Sequence, residues 1–591
     1  MKTYAPILSW FAALAIIASG CDAEAPSGAA GELTLTTATL GLCSDPATGA
    51  ELQNGSSDFP DGAKTVILRV TGGDLQAPIV ETFTQLNGEG QAVVPEIPPN
   101  VGLQVEVVGC TEDGIATWAG VSEPFDLPEA GLEANVNILL TPRDTLARTG
   151  RCTDADATSA DPSEGHAHAS LATVGEQTWV FGGFESMTAG SGSEKSLTAG
   201  STVEFYDRVA SQFSQSGALS EPRAGALAQP LGDGRVRLVG GVTRVRTAAL
   251  DQPNFAAVQG PVAGIEIYDT VAGASVMTSA TRFPAMASVV GLADGRALVV
   301  GGVNDGGGYS QDAWVVPSGA PEDTAIEAGR LSLGSERYGA TVMSVGSQAL
   351  VWGGAVADPS AARGVWLDGD AGTAWELSAV EDVANTMFAA GHHLDSTDAV
   401  HRFVVLGGAT IDAAGNHELA VNGAHGLLVS VDTASQSVTT SPLDFAEEAG
   451  QLQRAGASLV PLADGSFWFV GGFQAFGFSA GGPCGGTGAC LPSRAINFDV
   501  AQDGSVSLNA ERSLDLPNGD GWEVGAFGIG MAPQSDHSWL IVPGFVRVDL
   551  EGEGAESEAP SAHAALVRFQ VAAEALCEVD DAPSEATSPT L

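Results

Sequence analysis

The sequence predicts an all-β protein, a seven-bladed β-propeller preceded by a small β-sandwich domain. Three observations predict it. A string of turn, apolar strand and glycine pair recurs, as LGDGRVRLVGGV (231–242), LADGRALVVGGV (292–303) and LADGSFWFVGGF (462–473). Glycine reaches 76 of 591 residues, and short valine- and phenylalanine-rich runs lie between turns. A hydrophobic fraction of 44% with 16% charged residues describes a globular chain long enough to bury a substantial core.

In chain order, the first element is a targeting segment. MKTYAPILSWFAALAIIASGC has an early Lys2, an apolar run too short for a comfortable membrane span, and small residues before a cysteine. ASGC (18–21) resembles the lipobox of bacterial lipoproteins. The resemblance implies removal of residues 1–20 as a signal peptide and lipid attachment at Cys21. Residues 21–31 are small and polar, as the flexible tether of an anchored domain needs. No later segment is apolar for long enough to span a bilayer, so the membrane is reached through the lipid anchor only. The expected location is the bacterial cell envelope, in the periplasm or at the cell surface.

Cysteine count agrees with export. Of seven cysteines, six remain once Cys21 is set aside, an even number for an oxidising compartment. Fifteen pairings are open to six cysteines. Position along the chain suggests Cys43–Cys110, Cys484–Cys490 and Cys152–Cys577. The last would clasp the propeller's ends, contributing on the order of 4–5 kcal/mol in the chain-entropy model. No C-x-x-C spacing points to zinc or redox chemistry.

Residues 32–142 carry several short strands, including GELTLTTATL, KTVILRV, VGLQVEVVGC and ANVNILL, punctuated by proline and glycine. That spacing predicts a β-sandwich. VPEIPPNVGLQVEVVGC resembles the carboxypeptidase-regulatory or immunoglobulin-like modules of surface proteins.

Residues 143–577 hold the repeat. Apolar strands end in glycine pairs at Gly182–Gly183, Gly240–Gly241, Gly301–Gly302, Gly353–Gly354, Gly407–Gly408 and Gly471–Gly472, with Pro543–Gly544 as a degenerate seventh. Most are followed by a third strand ending near an aspartate, as in VEFYD (203–207), IEIYD (265–269) and INFD (496–499). Seven such units of about 50–70 residues make a propeller pattern. It resembles the Kelch-repeat propellers, whose repeat carries a glycine pair and then spaced aromatics; Tyr206, Tyr268 and Trp375 fit, while other blades substitute aliphatics. The expected architecture is thus a seven-bladed Kelch-like propeller, followed by an acidic disordered tail at 578–591.

The recurring string has a physical reading. DG makes the tight turn between the first two strands, since both residues tolerate positive φ. The run after it presents one face to each neighbouring blade. The glycine pair ends the strand where a β-carbon would obstruct close packing. No helix follows, so the glycines are no phosphate-binding loop.

Aligning the first strands brings out a set of charges. Glu164, Arg223, Arg282, Arg337, Met387, Arg454 and Glu523 lead segments that begin 16–20 residues before each glycine pair or its equivalent. In propellers of this type the first strand is innermost, so the set is expected to ring one mouth of the channel. Two readings stand: the arginines receive a carboxylate or sulfate through their guanidinium forks, or they bond neighbouring loop carbonyls as scaffold. Strand parity puts the loops after the glycine pairs on the same face, and loops on a rigid scaffold commonly carry binding. One of them offers Phe473, Phe476 and Phe478.

Charge narrows the partners. With 72 acidic and 24 basic residues the formal net charge is −48, and lysine occurs only as Lys2, Lys64 and Lys195. Such a surface repels phosphate backbones, which disfavours nucleic acid.

The Kelch resemblance extends to copper-radical enzymes similar to galactose oxidase, whose chemistry needs histidines, tyrosines and a thioether-forming cysteine. The chain past the signal region has only Tyr206, Tyr268, Tyr309 and Tyr338, its cysteines have disulfide partners, and adjacent His392 and His393 would face opposite sides of a strand. DGDAGTAW, with Asp370, Gly372 and Trp375, resembles a sialidase Asp-box but occurs once and falls at a turn. Oxygen donors at Asp154, Asp156 and Asp161, and at Asn304, Asp305 and Asp312, have spacings calcium can use but not that of an EF-hand. His166 and His168 sit two apart on an inner strand, where packing is the default. No catalytic residue, metal or cofactor is assigned. The expected function is recognition of a protein or glycan of the cell envelope at the arginine-bearing face; the alternatives are a carbohydrate-active enzyme on the same scaffold and a structural spacer.

Overall fold

The computed structural model describes residues 13–14, 32–39, 64–84, 97, 100–127, 133–142, 146–149, 162–163, 165–189, 195–208, 212–247, 257–258, 264–305, 308–355, 363–377, 386–397, 399–411, 417–419, 426–443, 452, 454–462, 465–473, 494–501, 504–509, 514–515, 528–534, 538–542, 544, 565–567 and 577. The protein is all-β, built from many small antiparallel sheets. Among the described residues one α-helix occurs, Asp323–Ala328, and no helix is long and apolar enough to cross a membrane.

The N-terminal portion is one eight-stranded sheet, seven strands along a single hydrogen-bonded path and Phe125–Leu127 paired beside it with Asn100–Cys110. Glu32–Thr39 runs parallel to Glu133–Pro142, while Ile79–Thr84, Thr65–Gly72, Asn100–Cys110 and Ala116–Val121 follow one another antiparallel. The two groups meet at Trp118↔Pro142 and Ala119↔Thr141, so the two expected layers are joined at an edge. Val136, Ile138 and Leu140 nevertheless share a core with Val66, Leu68, Val70, Leu103, Val105 and Val107. Alternate residues of Glu133–Pro142 thus cover one face of the Thr65–Gly72 and Asn100–Cys110 pair, as period-2 patterning requires.

Beyond residue 145, seven meander sheets follow one another, in each of which neighbouring strands pair antiparallel. The first is Ser170–Val174, Gln177–Phe181, Thr202–Asp207 and Gln212–Ala218. Five more occupy 227–277, 288–337, 341–377, 390–442 and 455–508. The seventh takes Gly530–Pro533, Trp539–Val542 and Ala565–Val567 from the C-terminal part and Leu146–Arg148 from the N-terminal part. The strand that reaches back across the chain carried no repeat signal, because only its pairing partner defines it.

Each sheet packs face to face on the next. Phe181 meets Val236, Leu238 and Tyr268 between the first and second sheets. Trp352 and Trp366 meet Phe403 and Val429 between the fourth and fifth. The seventh sheet packs on the first through Leu540 and Val542 against Val180 and Tyr206. Second strands such as Gln348–Trp352 are therefore buried on both faces, which is why they read as continuous apolar runs.

The recurring aspartate is a turn device. The carboxylate of Asp269 accepts the backbone N–H groups of Val271 and Ala272, both at 2.9 Å, and Asp368 and Asp432 do the same in their sheets. This Asx arrangement fixes the third-to-fourth-strand turn. Asp370 of the Asp-box-like string lies in such a turn and bonds Arg296 and Ser347.

The disulfide pattern departs from expectation. Cys110 is bonded to Cys577, 467 residues away, in place of the Cys43–Cys110 and Cys152–Cys577 pairs read from position. Cys577 is buried among Ile67, Val108, Ala116 and Ala119 of the N-terminal sheet, on the face opposite its main core. The bond joins the N-terminal sheet to the chain beyond the last meander. The expected clasp of the array is made instead by Leu146–Arg148 pairing with Ala565–Val567. A second link is buried Arg208 of the first meander, 3.0 Å from Glu123. Cys21, Cys43, Cys152, Cys484 and Cys490 lie outside the described residues, as do the tether and the acidic tail.

Candidate functional site

The arginine set resolves into a buried stitch. Arg223, Arg337 and Arg454 are at most 1% exposed, so they offer no surface to a ligand. Each guanidinium donates to the carbonyl of the first glycine of its own sheet's pair: Arg223 to Gly240 (3.2 Å), Arg337 to Gly353 (2.7 Å) and Arg454 to Gly471 (3.4 Å). The backbone carbonyls of Arg223, Arg337 and Arg454 accept the second-glycine N–H of the preceding pair, from Gly183, Gly302 and Gly408, at 2.7–2.9 Å. One residue thus ties its own strand end by side chain and its neighbour's by backbone. The ligand-facing reading of these three is corrected: desolvation is tolerated because the guanidinium is bonded to carbonyls, not because an oxyanion arrives.

The electrostatics follow from burial. It pushes Arg337 and Arg454 down to about 10, which leaves both charged at neutral pH. Burial also lowers Arg223, partly offset by Glu266, whose carboxylate lies 2.5 Å from Nη2. Arg454 additionally lies over the Phe469 ring, 5.4 Å from its centroid.

The first sheet uses histidine for the same task. His166 places Nδ1 2.5 Å from the Gly182 carbonyl and Nε2 2.7 Å from Glu204, whose position in VEFYD matches that of Glu266 in IEIYD. Both ring nitrogens lie within hydrogen-bonding distance of oxygens, so the ring joins the strand-end carbonyl to the carboxylate, as Arg223 joins Gly240 to Glu266. Burial works against the Glu204 carboxylate, but hydrogen bonds from His166 and Ser163 outweigh it and hold its pKa below the usual range. Sequence alignment passed over His166 by taking Glu164 as the leading residue. Spacing was the available signal: His166 precedes Gly182 by 16 residues, as Arg337 precedes Gly353.

The remaining members scatter. The bridges Ala285↔Val303 and Met387↔Ala409 show that Pro284 and Thr386, not Arg282 and Met387, hold the equivalent place. Arg282 is exposed. Glu164, Glu523, Phe476 and Phe478 lie outside the described residues; Phe473 ends the strand Ser466–Phe473.

Next to this stitch each sheet begins with a residue at positive φ: His168, Gly225, Met286, Gly339, Phe388, Gly456 and Gly528. Their backbones bond one another, His168 to Gly528, Gly225 to His168, Phe388 to Gly339 and Gly456 to Phe388, at 2.7–2.8 Å. The three side chains there, with Tyr309 and Tyr338, are apolar or held neutral. Burial alone pushes His168 down to about 4. Tyr338, stacked on Tyr309 at 5.5 Å and edge-on to Phe388 at 5.4 Å, keeps its hydroxyl buried with no hydrogen-bond partner among the described residues.

The loops after the first two glycine pairs form structure of their own. Phe184–Ala189, Lys195–Ala199, Arg244–Thr247 and Ala257–Val258 make an additional four-stranded antiparallel sheet. Phe184, Leu197, Ala199 and Val245 pack inward against Ala167, Ala224, Val242 and Ala285. By alternation the other face carries Ser196, Thr198 and exposed Arg244.

Asp312 is taken by Arg330 at 2.5 Å, the Asn304 side chain donates to the Tyr309 carbonyl, and Asp154, Asp156 and Asp161 lie outside the described residues. Among the described residues no group of three or more His, Cys, Asp or Glu side chains is placed to hold a metal ion.

Comparison with known proteins gives little. No family model and no curated protein matches the chain. A solved structure described as the structure of YjhT is similar at 14% identity over 59% of this chain and 98% of its own, with a TM-score of 0.33, too low for an argument on fold or function.

Proposed function

We propose that the chain is a lipid-anchored binding protein of the cell envelope, in which the seven meander sheets are the blades of a closed Kelch-like propeller. The packing of the seventh sheet on the first and the glycine-pair stitch between neighbours support the propeller. The lipobox-like ASGC ahead of a small polar tether supports the anchor. The ligand is a protein or glycan, and it is received by the post-glycine loops. The arginines hold those loops at their base.

One observation carries this reading. The loops after the first two glycine pairs are ordered into a sheet that closes no part of the meander array and turns a polar face outward. Ordering these residues costs on the order of 1–2 kcal/mol each in backbone entropy, which a spacer has no reason to bear.

The test is a glycan and envelope-protein array probed with the Cys21→Ser chain beside two folded variants. One carries Thr198→Ala with Arg244→Ala, the other Phe476→Ala with Phe478→Ala. Saturable binding weakened about tenfold or more in either, a loss of about 1.4 kcal/mol or more, supports the reading. Binding untouched by both would move the site to the N-terminal sheet, and turnover of an arrayed glycan would make the chain an enzyme.

A further inference from the structure

The hairpin of Ala390–Thr397 and Val400–Leu406, in the fifth meander, carries three of the nine histidines. His392 and His393 face opposite sides, as alternation requires. His392 lies against Phe467 of the sixth sheet at 5.4 Å, and His393 against Phe403 at 5.2 Å. Pairing sets Ser396 opposite His401, and an irregularity in register between His393 and Asp395 brings His393 to the same patch. The Ser396 hydroxyl lies 2.9 Å from Nε2 of His393 and 2.7 Å from Nδ1 of His401, donating to one ring and accepting from the other.

Both rings are held in place. His401 stacks on Trp366 of the fourth sheet, 5.1 Å between centroids and 18° from parallel, and His393 is wedged between Phe403 and His401. The adjacent carboxylate is engaged elsewhere, since Asp395 accepts from Arg402 through both of its oxygens. Ser396 itself is exposed, which opens the point of convergence to solvent.

We propose that His393 and His401 form a binding site for a divalent late transition-metal ion, Cu²⁺ foremost, which displaces the Ser396 hydroxyl from the point where the two nitrogens converge. Imidazole donors suit copper, nickel and zinc over calcium or magnesium, and the divalent series places copper first. Metal–nitrogen bonds of about 2.0–2.1 Å require Ser396 to rotate outward and the rings to close in. Two nitrogens leave the remaining positions to water or an external ligand. The first-to-second-strand turn of this hairpin lies at the opposite strand ends from the post-glycine loops, so the site is separate from the binding face proposed above.

The experiment titrates Cu²⁺ alone into the untagged Cys21→Ser chain, read by equilibrium dialysis and by tryptophan emission, which copper beside Trp366 quenches. One equivalent bound with quenching, lost in His393→Gln and in His401→Gln but kept in His392→Gln, is the expected result. No bound copper, or binding unchanged in the first two variants, overturns the site. Should either fail to fold, Ser396→Asp provides a second arm at an exposed position. A carboxylate placed where the nitrogens converge is expected to tighten copper about tenfold, and unchanged affinity overturns the proposal equally.

Discussion

Arg223 shows how a charged residue in a very acidic protein comes to be wholly buried. Its guanidinium bonds the Gly240 carbonyl and Glu266, its backbone carbonyl accepts from the Gly183 N–H, and none of the three contacts needs a ligand. Removing one partner of such a pair leaves the other charged and dry. Arg223→Met is therefore expected to cost about 3–5 kcal/mol in urea unfolding. Adding Glu266→Gln should recover a large part, since the neutral amide still accepts from Ser220. A cost below about 1 kcal/mol in the single variant would mean that the pair is solvated. His166 performs the same task with an imidazole, and does so with no arginine in the string that precedes Gly182.

The hairpin with its glycine pair is the unit that repeats, and its tolerance is set by backbone geometry. Gly302 sits at φ +99°, and a β-carbon there would meet the Ala285 carbonyl at 2.7 Å and the Ala287 nitrogen at 2.9 Å. Both neighbours are main chain and cannot step aside. Gly302→Ala is expected to destabilise by at least about 2 kcal/mol, from strain and overlap together. Gly175 sits at φ +61° in the turn of the first hairpin, where a β-carbon would meet nothing within 4 Å. Gly175→Asn keeps the left-handed conformation and should fall within about 0.5 kcal/mol of the parent. Thermal unfolding of the two side by side checks both values. Equal losses would show that conformation alone, and not the close approach of the sheet's own opening segment, selects glycine at this position.

Two of the long-range links among the described residues are of different kinds. Leu146–Arg148 joins the seventh meander by hydrogen bonds alone, while Cys110–Cys577 ties the N-terminal sheet to the chain beyond that meander. Replacing both cysteines by serine is expected to lower stability by about 6 kcal/mol at most in the chain-entropy model. The β-sheet circular dichroism should persist, because the strand pairing does not depend on the bond. Peptide mapping without reductant should yield a Cys110–Cys577 linked fragment. A Cys43–Cys110 fragment would overturn the connectivity.

Much of the fold was legible because its code is local. The DG turns, the apolar second strands, the glycine pairs and the turn-capping aspartates each act within one hairpin or between neighbours in sequence, so each leaves a mark at fixed spacing. The all-β class, the glycine-pair repeat and the strand-by-strand order of most meanders follow from that. The candidate site was read less well, for a reason visible in particular residues. Arg337 and exposed Arg282 look alike in the chain; only the approach of an adjacent sheet buries one and leaves the other in solvent. The convergence of His393 and His401 on Ser396 depends on a register irregularity and on Trp366 from another sheet, neither of which spacing encodes. The return of Leu146–Arg148 to the seventh sheet and the choice of Cys577 as the partner of Cys110 join residues hundreds of positions apart. Sequence determined the hairpins and their punctuation, because those are contests between a residue and its own backbone. Tertiary structure decided which charges are buried, which cysteines meet and which side chains converge, because those depend on surfaces that exist only once the sheets have packed.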